Sequence, residues 1–192
     1  MTILILGLAI FIGVHSVGIL APAWRGRMAA QLGEVPWKGL FALVSLVGLA
    51  LIVWGYGLAL QNPVALYAPP VWTRHLALLL MVPVFPLLLA TYLPGRIQAK
   101  VGHPMLTAVK LWALAHLLAN GNLGDVILFG TFLAWAVADR ISLKRRTAPS
   151  VPGAPAGKAN DWIALLGGLV LYVAFLGGVH AWLMGVSPLG VR

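Results

Sequence analysis

Two histidines, His15 and His116, stand inside apolar runs of membrane length, where the solvent for a side chain is hydrocarbon. An ionisable group there costs at least ~2.5 kcal/mol on insertion scales and usually faces a bundle interior, so it marks a functional position by default. Neutral imidazole is a good ligand for haem iron and other transition metals, and two imidazoles on different helices can hold a haem from both faces. Spacing alone leaves three uses open: a hydrogen bond across helices, ligation of haem or another metal, and proton transfer.

The neighbours of these rings refine the choice. In the segment HPMLTAVKLWALAHLLANG, which begins at His103, the positions Ala108, Trp112, Ala115, His116 and Ala119 share one helical face of small and aromatic residues. A flat macrocycle needs such clearance, with Trp112 as a wall beside the imidazole. Gly7, Phe11, His15 and Gly18 make a similar stripe in the first apolar run. At helical rise His15 and His116 lie ~12 Å and ~18 Å from the cytoplasmic ends of their runs. His103 precedes Pro104 at the cytoplasmic mouth and is turned ~140° from His116, so the two do not share one metal ion. Lys110, ~120° around from His116, snorkels to the surface or neutralises a haem propionate. His75 and His180 are expected near the periplasmic edge. Arg74 is read as an interfacial anchor, and Asp139 with Arg140 as an ion pair among loop charges.

Positioning these groups requires an all-α integral membrane bundle. Hydrophobic residues make up 61% of the 192 positions and charged residues 9%, far from the balance of a soluble chain. Six spans are expected, at about 2–23, 37–60, 73–93, 104–119, 123–141 and 160–184, each long enough or nearly so for a ~30 Å hydrocarbon layer. Asn120-Gly121-Asn122 suits a tight helical hairpin between the fourth and fifth. Pro83 and Pro86 should kink the third and free carbonyls that need partners. Gly7, Gly13, Gly18, Gly48, Gly55, Gly167, Gly168, Gly177 and Gly178 are expected as close-packing points.

The net charge of +9 resides mainly in short loops, as topology signals do, which excludes nucleic-acid binding. Arg25, Arg27 and Lys38, then Arg96 and Lys100, then Lys144, Arg145, Arg146 and Lys158 mark cytoplasmic connections, placing both termini in the periplasm of a bacterial cell. Positive charge follows the first run rather than preceding it, so a retained span is expected there instead of a cleaved signal peptide. A single domain over 1–192 is expected, with a flexible linker at about 142–159. Absence of cysteine excludes disulfides, thiolate zinc sites, iron–sulfur clusters and covalent c-type haem.

FIGVHS, WKGLFALVSLVGLALIVWGYG, PPVWTRH, GHPMLTAVKLWALAHLLANG, AWAVADRISLKRR and HAWLMGV together resemble the NnrU family of bacterial membrane proteins, over nearly the whole chain. That family is named from genes linked to nitrite and nitric oxide metabolism. It is similar in turn to the zeta-carotene isomerases, whose b-type haem serves cis-to-trans isomerisation. The resemblance implies haem b, with iron ligands at His15 and His116, and matches His103 to a further histidine of the isomerases. Lys110 stands where the isomerases place another histidine, and no cysteine is present for a thiolate ligand, so isomerase activity does not follow directly. The expected function is haem binding in nitrogen-oxide metabolism within the bacterial inner membrane, with nitric oxide as a candidate ligand. Two alternatives are a haem-dependent isomerase of an apolar polyene and a non-catalytic accessory factor for respiratory reductases, so whether the chain is an enzyme stays open.

Overall fold

A computed structural model of the chain describes residues 1–146 and 151–189. In chain order its helices are α1 (Thr2–Leu20), α2 (Pro22–Leu32), α3 (Glu34–Gln61), α4 (Val71–Met81), α5 (Val84–Tyr92), α6 (Arg96–Val101), α7 (Pro104–Ala119), α8 (Leu123–Ser142) and α9 (Asn160–Ala174). A π-helical turn, Phe175–Val179, then leads into α10 (His180–Met184). No strand occurs among the described residues, although Ala65 and Asn122 form an isolated antiparallel bridge. The all-α expectation holds.

Four stretches are long and apolar enough to cross a membrane: Thr2–Leu20, Glu34–Gln61, Val71–Tyr92 and Asn160–Met184. Large side chains such as Leu43, Leu46 and Val53 on α3, and Val170 and Val173 on α9, point outward, as a hydrocarbon solvent permits. α7 is apolar but has 16 residues, ~24 Å of helix, and the 20-residue α8 carries Asp125, Asp139 and Arg140. Four of the six expected spans thus have crossing length and composition.

Proline and glycine set several boundaries. Pro22 disfavours helical geometry at Ala21, whose φ of −138° and ψ of 54° end α1 short of residue 23. The chain restarts as α2, with Pro22 in its first turn. The kink expected in the third span falls at Pro83, between α4 and α5. There the Val82 N–H donates to the Leu79 carbonyl at 3.2 Å, which leaves the Leu78 carbonyl without an α-helical donor. The Tyr172 hydroxyl donates to it at 2.9 Å.

The helices gather into two compact units, Met1–Ala68 with Asn120–Arg145, and Pro69–Ala119 with Arg146–Arg192. In the first, α1 packs along α3 with backbones in close approach. A Cβ on Gly7 would meet the Ile52 backbone nitrogen at 2.6 Å and one on Gly48 the Phe11 nitrogen at 2.8 Å, while one on Gly55 would strike the Leu4 backbone. α8 joins this pair through a buried carboxylate. Asp125, 1% exposed, accepts from the Tyr56 hydroxyl of α3 at 2.5 Å and from the Asn122 N–H at 3.1 Å. The second bond closes a capping box at the N-terminus of α8. The Leu66 and Tyr67 N–H groups donate to the Gly121 carbonyl, and the Tyr67 hydroxyl to that of Asn120, clipping the preceding loop to this turn.

In the second unit α5 packs on α9 where Gly168 meets the Pro86 backbone, and α7 packs on α4 and α5. Asp161 accepts from the Arg96 and Ile97 N–H groups at 3.0 and 2.9 Å, capping α6 from a distant part of the chain. The Asn160 amide donates to the carbonyls of Pro94 and Pro155 at 2.8 and 3.0 Å. Of the expected linker, residues 147–150 lie outside the described residues, and the Ala154 N–H is bonded to the Tyr92 carbonyl at 2.9 Å. The close-packing expectation holds for Gly7, Gly48, Gly55, Gly167 and Gly168. It fails for Gly13, Gly177 and Gly178, where an added Cβ would meet nothing within 4 Å.

Gly7→Val should therefore destabilise the protein by at least ~1–3 kcal/mol, as overpacking does, whereas Gly13→Ala should be nearly silent. Thermal unfolding in detergent compares them, and equal stabilities would contradict the packing described. Tyr56→Phe should cost about 1–3 kcal/mol, because it removes a donor from a buried carboxylate. An unchanged transition would show that this bond does not hold α8 to α3.

Candidate functional site

His15 is presented by α1 in the first unit. Its Nδ1–H donates to the Phe11 carbonyl, one helical turn earlier, at 2.7 Å. A carbonyl only accepts, so the proton resides on Nδ1 and, in the neutral ring, the lone pair lies on Nε2. Phe11 stacks on the imidazole with ring centres 4.2 Å apart, Phe41 of α3 meets it edge-on at 5.0 Å, and Trp135 of α8 stands perpendicular at 5.9 Å. Phe132 extends the wall, 5.7 Å from Phe11. The indole Nε1 of Trp135 is buried with no hydrogen-bond partner among the described residues. An unpaired buried N–H costs about 1–3 kcal/mol, so this group is one an acceptor would satisfy.

The same device presents His116 in the second unit. Its Nδ1–H donates to the Trp112 carbonyl at 2.8 Å, and the two rings lie 5.3 Å apart at 53°. Trp112 packs against the buried Val84, Leu87 and Ala108, which anchors the turn that carries the histidine. Ala108 and Ala115 are 0% and 1% exposed, in keeping with the small-residue face read from spacing. His116 stands in the last turn of α7. Its depth counted from Pro104 is therefore not its distance from the nearer end of the helix, which is one turn away.

His180 reaches the same place from the other side of a helix break. The π turn Phe175–Val179 contains Gly178 at φ 146° and ψ −22°, a conformation that L side chains rarely adopt. α10 begins at His180 and ends at Met184, and Gly185, with φ of 72°, turns the chain back. The Val186 carbonyl then accepts from the His180 Nδ1–H at 2.7 Å. The rings of His116 and His180 come to 6.4 Å between centres, with planes 25° apart.

A family model described as NnrU protein matches residues 3–188, nearly the whole chain. The chain belongs to the NnrU family. No curated protein and no solved structure matches it.

This NnrU chain distributes its sequence-predicted site residues over both units. His15 belongs to the first, and His103, Lys110, Trp112 and His116 to the second. The structure brings Trp112 and His116 together as expected. His103 precedes α7, and its carbonyl accepts from the Thr107 N–H and hydroxyl at 3.1 and 3.2 Å, a capping role for its backbone. Lys110 is half-buried along α7. No cluster of three or more His, Asp or Glu side chains forms among the described residues, so the protein offers imidazoles rather than a complete cage for a bare ion. Sequence reasoning missed two members of these sites, His180 and Trp135. The Gly177-Gly178 pair just before HAWLM was the available signal for His180, because two glycines can break and re-aim a helix.

The tautomers are directly testable. Nitrogen-15 spectra of histidine-labelled protein, recorded where the rings are neutral, should show His15, His116 and His180 protonated at Nδ1. The Nε2-protonated pattern at all three would overturn the hydrogen bonding described.

Proposed function

We propose that this NnrU protein is a multi-pass protein of the bacterial inner membrane that binds haem b through imidazole nitrogen and serves nitrite and nitric oxide metabolism. The observation that carries the reading is the common presentation of His15 and His116. In each, Nδ1–H is held by the carbonyl one turn back, and an aromatic ring from that same turn packs on the imidazole. Holding Nδ1–H on a carbonyl sets the ring's orientation and raises the basicity of Nε2, the usual arrangement of metal-ligating histidines.

The residues fit a haem. Each histidine has flat aromatic neighbours in its own unit, Phe11, Phe41 and Trp135 about His15 and Trp112 beside His116, which suit the face of a macrocycle, and the buried Trp135 N–H is a donor for an acceptor group. A porphyrin brings four nitrogens of its own, so one or two imidazoles are all the protein must add. Bound there, haem would supply one-electron chemistry and a site for a diatomic ligand such as nitric oxide. The protein's part is to hold Nε2 toward iron and to keep the surroundings apolar. His116 is the ligand we assign with its wall residue Trp112, and His15 is the second ligand implied by the family resemblance. Lys110 and His103 would act on the propionate side.

Six spans with both termini periplasmic complete the proposal. Asp125 does not bar α8 from the bilayer, since its carboxylate is buried and bonded rather than lipid-facing. The two short helices unforeseen from sequence, α2 and α6, carry Arg25, Arg27, Arg96 and Lys100, which supports placing both on the cytoplasmic face.

Protein purified after haem-supplemented expression should show a Soret band that responds to reduction and to nitric oxide. His116→Ala should lose most of the bound haem. No Soret band in the wild type, or an unaltered band in the His15→Ala and His116→Ala double variant, sinks the proposal.

A further inference from the structure

We propose that one end of the first unit is a binding surface for anionic phospholipid headgroups, formed by α2 together with the end of α8. Its role does not depend on haem. All six Lys and Arg residues of this unit, Arg25, Arg27, Lys38, Arg140, Lys144 and Arg145, gather at that end. α1 and α8 run in the same direction, since Phe11 meets Phe132 and His15 meets Trp135. Five residues farther on, α1 reaches its last residue, Leu20, and α8 reaches Arg140, so Lys144 and Arg145 beyond it stand level with α2. α3 runs the other way, with Gly48 against Phe11 and Gly55 against Leu4, which brings Lys38 to the same end. At the opposite end residues 61–68 and the Asn120-Gly121-Asn122 turn carry no charged side chain, and Asp125 is buried.

Little of the positive charge is cancelled within the unit. Glu34 is taken by Lys38 at 2.6 Å, and Asp139 is the one other carboxylate at this end. No ion pair forms at Arg25, Arg27, Lys144 or Arg145 among the described residues. Arg27, Lys144 and Arg145 are exposed and Arg25 is half-buried. Like charges crowded together repel one another, so a layer of counter-charge over them stabilises the fold.

Apolar groups interleaved with these cations select a lipid over a free anion. Trp24, Met28 and Leu32 recur at i, i+4 and i+8 along α2, a stripe with Arg25 to one side and Arg27 to the other. Trp24 and Leu32 are 44% and 48% exposed, and beyond the two ends of α2 Leu20 and Val35 are 81% and 80% exposed. The boundary between headgroups and acyl chains takes such a stripe and leaves guanidinium groups at phosphate level. Trp24 and Trp37, edge-on at 5.9 Å, are an aromatic pair suited to that depth. A soluble acidic partner would satisfy the charges and leave the apolar groups in water.

Native mass spectrometry of the full chain, delipidated in uncharged detergent and titrated with phosphatidylglycerol or phosphatidylcholine of the same acyl chains, tests the proposal. Wild type should bind phosphatidylglycerol about tenfold more tightly or better. At about fivefold per basic residue, the Arg25→Gln and Arg27→Gln double variant should bind it ~25-fold less tightly, and Lys144→Gln with Arg145→Gln should do likewise. Arg25→Lys with Arg27→Lys keeps the charge and should stay near wild type, which separates charge from folding. Glu34→Gln with Lys38→Gln removes charges that already cancel and should also stay near wild type. Equal affinity for the two lipids, undiminished binding in both Gln double variants, or as large a loss in the Lys variant overturns the proposal. Displacement of phosphatidylglycerol by inorganic phosphate would mark a free-anion site, and preference for soluble polyglutamate an acidic partner; either result overturns it as well.

Discussion

Hydrocarbon offers no hydrogen bonds, so every backbone group released by a helix break must find a partner inside the protein. That constraint organises this chain. The break at Pro83 releases the Leu78 carbonyl, and Tyr172 of α9 supplies the donor. The start of α8 releases N–H groups, and Asn122 with Asp125 closes them in a capping box while Tyr56 pins the carboxylate to α3. The start of α6 is served by Asp161 from the far end of the sequence. In water each of these would be a modest contact, since solvent competes for both partners. At Pro83, inside an apolar span, the alternative is an unsatisfied group, whereas the caps of α6 and α8 stand at helix ends and fix which neighbours those helices keep.

The histidines obey the same rule and turn it to use. An imidazole in hydrocarbon must satisfy two nitrogens, and the carbonyl one turn back disposes of Nδ1 at His15 and His116 without outside help. In the neutral ring the lone pair then falls on Nε2, which is the tautomer that the haem proposal requires. His180 reaches that end differently. Its carbonyl partner comes from Val186, six residues later, because the preceding turn is distorted at Gly178. A helix break that elsewhere costs a partner here supplies one.

The helices themselves were largely legible. Apolar runs mark membrane helices, and α7 begins at Pro104 and ends at Ala119 as read, because proline opens it and Asn120-Gly121 closes it. The break at Pro83 followed from proline chemistry. α2 and α6 were not legible, since 11 and six residues of mixed polarity leave no apolar stripe long enough to notice. The burial of Asp125 was not legible because it depends on Tyr56, a residue 69 positions away that no local pattern ties to it. His180 was placed at the membrane edge by counting along a straight helix, and the count gave no hint of its neighbour on α7. Its position near the end of its span was right, but the histidine it approaches is itself in the last turn of a short helix.

Depth therefore sorts these rings less well than their surroundings do. His116 and His180 stand near helix ends, and like His15 both are half-buried. His15 is enclosed by Phe11, Phe41 and Trp135, with an indole N–H close by that has no partner of its own. With no cysteine in the chain, imidazoles in unlike surroundings are what the haem proposal has to work with.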